Sequence, residues 1–68
     1  MQVTAVLTPA PEGGFTALNP ETGSVSEGET VEQALANLRE AVELYLDEFE
    51  IDVVGAPLVT TLTVREHA

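Results

Sequence analysis

The sequence predicts an α+β domain in which four strands form one sheet and a single helix lies on one face, in the order β-β-β-α-β. Two observations lead to this prediction. Apolar residues recur every three or four positions through residues 31–49, which is the period of an amphipathic helix. Apolar and polar residues alternate at residues 2–8 and again at residues 58–64, as is typical of half-buried strands on either side of that helix.

Three strands and two turns are predicted ahead of the helix. The strands are residues 2–8, 15–18 and 24–27. The third is short and polar, so we expect it at an edge of the sheet. Prolines and glycines between the strands, at 9–14 and 19–23, indicate turns in which strand pairing stops. Gly23 is expected to adopt a positive φ, because it has no Cβ to collide with the backbone there.

The helix has a recognisable beginning. Gly28 is expected to bend the chain, and Thr30 is the predicted N-cap, with its hydroxyl accepting the backbone N–H of Gln33. The Gln33 side chain can reach back to the Thr30 N–H and complete a capping box. The helix should end near residues 48–50. Its predicted buried stripe contains the recurring apolar residues Val31, Ala34, Leu35, Leu38, Val42, Tyr45 and Phe49.

The chain after the helix is predicted to return to the sheet. Residues 52–57 form a linker, since Pro57 cannot continue a helix. Residues 58–64 are the predicted fourth strand. A right-handed crossover would place this strand parallel to the third strand, and therefore to the first.

The size of the chain favours an oligomer. Sixty-eight residues allow a single domain, residues 1–68, and so short a chain buries little surface by itself. It has no cysteine for a disulfide, so a homodimer or a higher even oligomer is expected, formed through the open face of the sheet or through its edges. Val6 and Leu18 on the uncovered sheet face are candidate contacts. Leu44, which lies off the buried stripe, is either a further contact or an ordinary exposed leucine.

The predicted location is the cytoplasm, with no membrane contact. The sequence has no cysteine and no signal-peptide pattern at its start. Its longest apolar run, residues 53–59, contains Gly55 and Pro57 and is much shorter than the ~20 residues that span a bilayer.

Negative charge dominates the composition. Twelve acids and two arginines give a net charge of −10, and nine of the acids lie within residues 27–52 with only Arg39 among them. Such a surface repels nucleic acid and attracts basic proteins, so no direct nucleic-acid binding is expected. The candidate partner-binding residues are the acids of the outer helix face and its end, Glu40, Glu43, Asp47 and Glu48. A solvated face that only maintains solubility, or a divalent-cation site, are the alternatives.

A set of residues at characteristic spacing resembles the HicB-like antitoxin family. The matching residues are Gly14-Phe15-Thr16-Ala17, Pro20, Gly23, the helix start from Gly28 to Ala34, Asn37, Ala41 and the pair Tyr45-Leu46. The family pattern has a Pro–Gly turn, G-x-T-x-E-E-A at the helix start, and a helix that ends in an aromatic residue and leucine. The turn Pro20-Glu21-Thr22-Gly23 departs from the usual P-D-L-P-G. Full-length members also carry a C-terminal DNA-binding domain, which this sequence does not cover.

The resemblance implies a partial RNase-H-like fold and neutralisation of a HicA-type toxin, a small basic mRNA-cleaving protein, without operator binding. Occlusion and electrostatic mimicry of RNA would be the mechanism. A stand-alone oligomeric module that contacts another protein or a ligand, without a toxin partner, is the alternative function.

No catalytic chemistry is expected from the residue types present. An RNase-H-like nuclease needs clustered strand carboxylates that hold two metal ions, and the sequence has no carboxylate before Glu12. His67 is the single histidine and is expected in a solvated tail. We therefore predict a protein that is not an enzyme, with no cofactor and no metal.

Overall fold

The structure is a computed structural model that describes residues 1–66, and it contains an antiparallel sheet followed by one helix. The elements are β1 (Val6–Pro9), β2 (Phe15–Asn19), β3 (Ser24–Gly28) and α1 (Val31–Glu48). The strand order is β1-β2-β3, with both pairs antiparallel. The predicted α+β class, the meander and the edge position of the third strand are confirmed. His67 lies outside the described residues.

The predicted fourth strand is not formed. Residues 58–64 pair with neither edge of the sheet, and Leu58 and Leu62 are 89% and 81% exposed. A strand is stabilised by its cross-strand neighbours. The alternation at 58–64 indicates a tendency to form a strand, but it does not determine which strand these residues would pair with. In the described chain the sheet therefore has three strands, and the prediction of four is corrected.

β1 begins later than the predicted residue 2, and a proline in the facing turn explains why. The register pairs Val6 with Leu18. If β1 extended two residues toward its N-terminus in this register, Thr4 would lie opposite Pro20. Proline has no backbone N–H and cannot donate to a strand ladder. Side chains of the turn that contains Pro20 bind Thr4 instead.

The core is small and lies between the helix and the middle of the sheet. Its buried residues are Ala17, Ala34, Leu38 and Val42, with Leu7, Phe15 and Leu46 packed around them. α1 packs on β3 and β2, and little of it covers β1. The predicted stripe is thus confirmed at its centre.

Both borders of the predicted stripe are corrected. Val31 and Leu35 remain 37% and 39% exposed, and Phe49 is 53% exposed beside the Tyr45 ring, with 4.9 Å between the ring centroids. A three-stranded sheet is too narrow to cover a full stripe of an 18-residue helix. Leu46, which the periodicity omitted, packs against the core because it faces the β1 side.

Gly28 determines how closely the helix approaches β3. A Cβ at this position would lie 2.4 Å from the Ala34 backbone nitrogen and 2.8 Å from the Gln33 carbonyl carbon. Only glycine allows this contact without moving the helix. Gly23 has a φ of 78°, which confirms the positive φ expected in the turn.

The capping of α1 is confirmed with one change. The Gln33 backbone N–H donates to the Thr30 hydroxyl oxygen at 3.1 Å. The Gln33 side-chain oxygen accepts from the Glu29 N–H at 2.9 Å, one residue earlier than the expected Thr30 N–H. At the other end, Glu48 is the last helical residue, within the predicted range, and the Phe49 N–H bonds to the Tyr45 carbonyl.

Candidate protein-interaction site

The outer side of α1 presents three of the four predicted partner-binding acids. Glu40, Glu43 and Asp47 are exposed and lie opposite the buried Leu38 and Val42 on the helix. We call Glu40, Glu43 and Asp47 the acidic helix face. Since helical residues three and four apart are neighbours, the three carboxylates form one row along the helix.

One arginine reaches this row without neutralising it. Arg39 Nε lies 3.5 Å from Glu43 Oε2, and the two side chains are 80% and 64% exposed. An exposed pair of this kind contributes at most about 1 kcal/mol and is screened by salt. The acidic helix face therefore retains a net negative charge that an approaching molecule can sense.

Glu48 and Leu44 belong to a different side of the helix. Leu44 and Glu48 lie about two and three helical turns after Asn37, so all three residues are on the same side of the helix. The Asn37 amide donates to the Glu27 carbonyl of β3 at 2.7 Å. They are therefore on the flank above the β3 edge, where Leu44 is 66% exposed. The sequence grouped Glu48 with the outer acids because it lies close to them along the chain, but the helix rotates it away.

The sheet face away from the helix carries an apolar row. The register aligns Val6 with Leu18 and Leu18 with Val25, and Ala17 beside them faces the helix, so this row faces outward. Leu18 and Val25 are 40% and 63% exposed, and Val6 is half-buried. The predicted outward positions of Val6 and Leu18 are confirmed. Val25 was missed because β3 looked uniformly polar, although its alternation with Ser24 and Ser26 was a usable signal.

An apolar groove runs between the N-terminal segment, residues 1–5, and the β1 side of the helix. Its volume is about 470 Å³. The groove is lined by Met1, Val3, Thr4, Ala5, Leu35, Leu38, Arg39, Val42, Glu43 and Leu46. It exists because α1 covers β2 and β3 and leaves the space beside β1 open. We refer to it as the β1 groove.

The wall of the β1 groove is held by a buried asparagine. Asn19 is fully buried, and its amide nitrogen donates to the Thr4 carbonyl at 2.8 Å and to Glu21 Oε1 at 2.7 Å. Its amide oxygen accepts from the Thr22 N–H at 2.9 Å and from the Thr22 hydroxyl at 2.6 Å. All the hydrogen-bonding capacity of the amide is thereby used, two donors and two lone pairs.

The Glu21 carboxylate also holds Thr4 in place. We call Asn19 and Glu21, which together bind Thr4, the clamp. Its carboxylate accepts from the Thr4 N–H at 2.9 Å and from the Thr4 hydroxyl at 2.8 Å. The Thr4 backbone N–H is the main reason that the pKa of Glu21 lies below its usual value. The Thr4 hydroxyl and the Asn19 amide add to the lowering, and desolvation partly opposes it. The sequence did not predict this contact, because nothing local in sequence connects Glu21 to a residue 17 positions earlier.

The described residues show neither a cluster of metal ligands nor a membrane-spanning helix. Across residues 1–66, no three acidic or histidine side chains converge in a way that could hold a metal ion. The helix within that range lacks the length and apolar character needed to cross a bilayer.

Comparison with known proteins gives one informative similarity. No protein-family model matches the chain, and no solved structure matches it. A protein of Helicobacter pylori strain J99, described as a UPF0150 protein, is 40% identical over 52 residues. The similar region spans 76% of this chain and 72% of the H. pylori protein.

Proposed function

The chain belongs to the UPF0150 family, and from this premise we propose that it is a HicB-like antitoxin that binds and neutralises a small basic RNase of the HicA type. The residues that resemble the HicB-like pattern support the proposal through their structural roles. Gly23 adopts the positive φ of the turn, Gly28 allows the close helix contact, and Thr30 caps α1. The resemblance therefore lies in residues that build the fold.

The proposal includes the partial RNase-H-like fold. A three-stranded meander followed by one helix agrees with the first four elements of that arrangement. Residues 58–64 would supply the remaining strand when an edge of a sheet is available to them. Since the proposed target cleaves mRNA, the cytoplasm is the proposed location.

The observation that supports toxin binding best is the acidic helix face. Its three carboxylates point away from the core, and the chain carries a net charge of −10. At about 1.5 Å of rise per residue, the carboxylates follow one another at intervals of about 4.5 and 6 Å. Phosphates along a nucleic-acid strand likewise form a regular row of negative charges. A basic surface that binds RNA phosphates would therefore be attracted to this row and blocked by the domain behind it.

The apolar row of Val6, Leu18 and Val25 favours the second candidate function, a stand-alone oligomeric module. An outward apolar row on a small domain is typical of a protein contact, and a toxin is not needed to explain it. On this view the acids only keep the assembly soluble.

The experiment is co-expression with the protein encoded by the neighbouring reading frame, followed by an RNA-cleavage assay. Toxin neutralisation predicts that the neighbour is small and rich in lysine and arginine. It should co-purify with this chain and lose its RNase activity at stoichiometric amounts of it. The chain alone should cleave no RNA with Mg²⁺ or Mn²⁺.

Two outcomes would contradict the antitoxin proposal. One is a neutral or acidic neighbour, and the other is RNA cleavage that continues when this chain is in saturating excess. If the chain still forms a stable oligomer in either case, the stand-alone module is favoured.

A further inference from the structure

The charges of this chain are segregated along the sequence. Residues 1–11 and 53–64 contain no charged side chain, whereas all the acids lie at residues 12–52 or at Glu66. Two copies of a chain with a net charge of −10 repel each other over most of their surfaces. The two uncharged segments are where a close contact between copies costs least electrostatically.

The second uncharged segment lies apart from the rest of its own chain. Its apolar residues Leu58, Leu62 and Val64 are 89%, 81% and 68% exposed. The radius of gyration is 14.1 Å, compared with about 11 Å for a compact chain of this length. The longest dimension of 47 Å likewise indicates an extended tail.

The chain after the helix forms no strand on its own sheet. Phe49 is extended, with φ of −129° and ψ of 143°. The tail has a bend at Gly55, and no residue from 49 to 66 has a positive φ. Residues 58–64 pair with neither edge of the sheet of their own chain.

The first uncharged segment forms a receiving edge. β1 pairs with β2 on one side, and its other edge presents unpaired backbone groups. Beside this edge lies the β1 groove, whose helix wall is formed by the apolar Leu35, Leu38, Val42 and Leu46 together with the charged Arg39 and Glu43. A strand added here would pair its backbone with β1 and insert alternate apolar side chains into the groove.

We propose that residues 58–64 of one copy add as a fourth strand to the β1 edge of a second copy, and that the exchange is reciprocal. The result is a two-fold dimer in which each sheet has four strands and each β1 groove is filled by the partner's tail. Domain swapping of this kind reaches a dimer by exchanging an identical element. Residues 50–57 act as the hinge, with a reach of up to about 28 Å when extended. This proposal does not depend on the antitoxin function.

The first test is the mass of the full chain by light scattering. We expect a particle of twice the 7.2 kDa chain mass. Successive N–H groups of an added strand point to opposite edges, so Thr60→Pro combined with Thr61→Pro removes a donor that faces β1 in either register, and this variant should be monomeric. Val54→Pro is the matched control, since Val54 is fully exposed in the hinge and the variant should remain dimeric. Circular dichroism checks that α1 persists in both variants, as expected because residues 58–64 are exposed and pair with no strand of their own chain.

The second test identifies the chain that supplies the strand. Because the protein has no cysteine, an Ala5→Cys chain carrying a tag can be mixed with an untagged Thr61→Cys chain and treated with a short thiol cross-linker. The expected product joins one tagged and one untagged chain. Ala36→Cys, on the outer side of the helix, replaces Ala5→Cys in the control and should give no such product.

Three results would overturn the exchange. One is a particle of the mass of a single chain at micromolar concentration. Another is a dimer that Thr60→Pro combined with Thr61→Pro leaves intact, which would put the interface on another surface such as the apolar row. The third is a chain with both cysteines that cross-links internally at the mass of one chain, which would mean that the strand closes on its own sheet.

Discussion

The side-chain amide of Asn19 donates to the backbone carbonyl of Thr4 at 2.8 Å and thereby continues, through a side chain, the pairing that Pro20 interrupts. The same amide nitrogen binds the carboxylate of Glu21, whose oxygens hold the N–H and hydroxyl of Thr4. The turn between β2 and β3 thus fixes the N-terminal segment that forms one wall of the β1 groove. Stability and the shape of this groove are linked through one polar cluster.

Asn19→Ala should destabilise the fold by about 2–3 kcal/mol. The substitution leaves the Thr4 carbonyl and the Thr22 N–H without their partner in a part-buried environment, and each such group costs about 1–3 kcal/mol when fully buried. Urea unfolding measures the change in the free energy of unfolding. Asn37→Ala is the control, because Asn37 is exposed and makes a single hydrogen bond to β3, so a loss of at most about 1 kcal/mol is expected. Equal losses in the two variants would contradict the special role of Asn19.

Glu21 should make stability depend on pH in the acid range. Its folded-state pKa lies below the ordinary value of 4.5, mainly because of the Thr4 backbone N–H. The carboxylate therefore stabilises the fold fully above pH 4.5, and this contribution is lost as pH falls through the lower folded-state pKa. Glu21→Gln should lower the urea midpoint at pH 7, and the difference from the native chain should shrink below pH 4.5. A difference that stays constant from neutral to acid pH would mean that the Glu21 charge has no role in the clamp.

Gly28→Ala should destabilise the protein by about 1–3 kcal/mol, because the added Cβ would lie 2.4 Å from the Ala34 nitrogen and push the helix off β3. Gly55→Ala adds the same methyl group where no atom lies within 4 Å, and it should change stability by less than about 0.5 kcal/mol. Thermal unfolding of the two variants gives the comparison. A tolerated Gly28→Ala would show that the helix can be displaced without loss of the core.

Charge reversal on the acidic helix face should slow association with a basic partner several-fold. Glu43→Lys combined with Asp47→Lys changes the charge at two exposed positions that point away from the core, so folding should be retained. Stopped-flow association across a salt series measures the rate. The rate for the native chain should fall steeply with salt, since exposed charges are screened beyond about 10 Å at 0.1 M.

The matched control for this reversal is Glu12→Lys combined with Glu29→Lys. These two acids are exposed and line a separate cleft at the other end of the domain, and the net charge changes by the same amount. Glu21 is unsuitable as a control, although its turn position suggested it, because its carboxylate holds Thr4. An association rate that ignores salt, or that falls equally in both double variants, would remove the acidic helix face as the binding surface.

Part of the structure follows from local sequence alone. The helix from Val31 to Glu48, its cap at Thr30 and the positive φ of Gly23 depend on residues close together in the chain. Hydrophobic periodicity and turn residues predict such features because they reflect interactions between residues close together in the chain. The outward row is partly of this kind, because the alternation around Val6 and Leu18 predicts which side each faces.

Only the tertiary structure decided the features that join distant residues. The late start of β1 depends on Pro20 facing Thr4 across the sheet, and part-buried hydrogen bonds join Glu21 to Thr4, 17 positions away. Apolar and polar residues alternate at 58–64, yet no strand forms there. A strand must pair with the edge of another strand, and the sequence does not determine which chain supplies that edge. Local sequence predicted the helix and four strands, of which three form. Pairing, which depends on geometry between segments far apart in the chain, decided their limits.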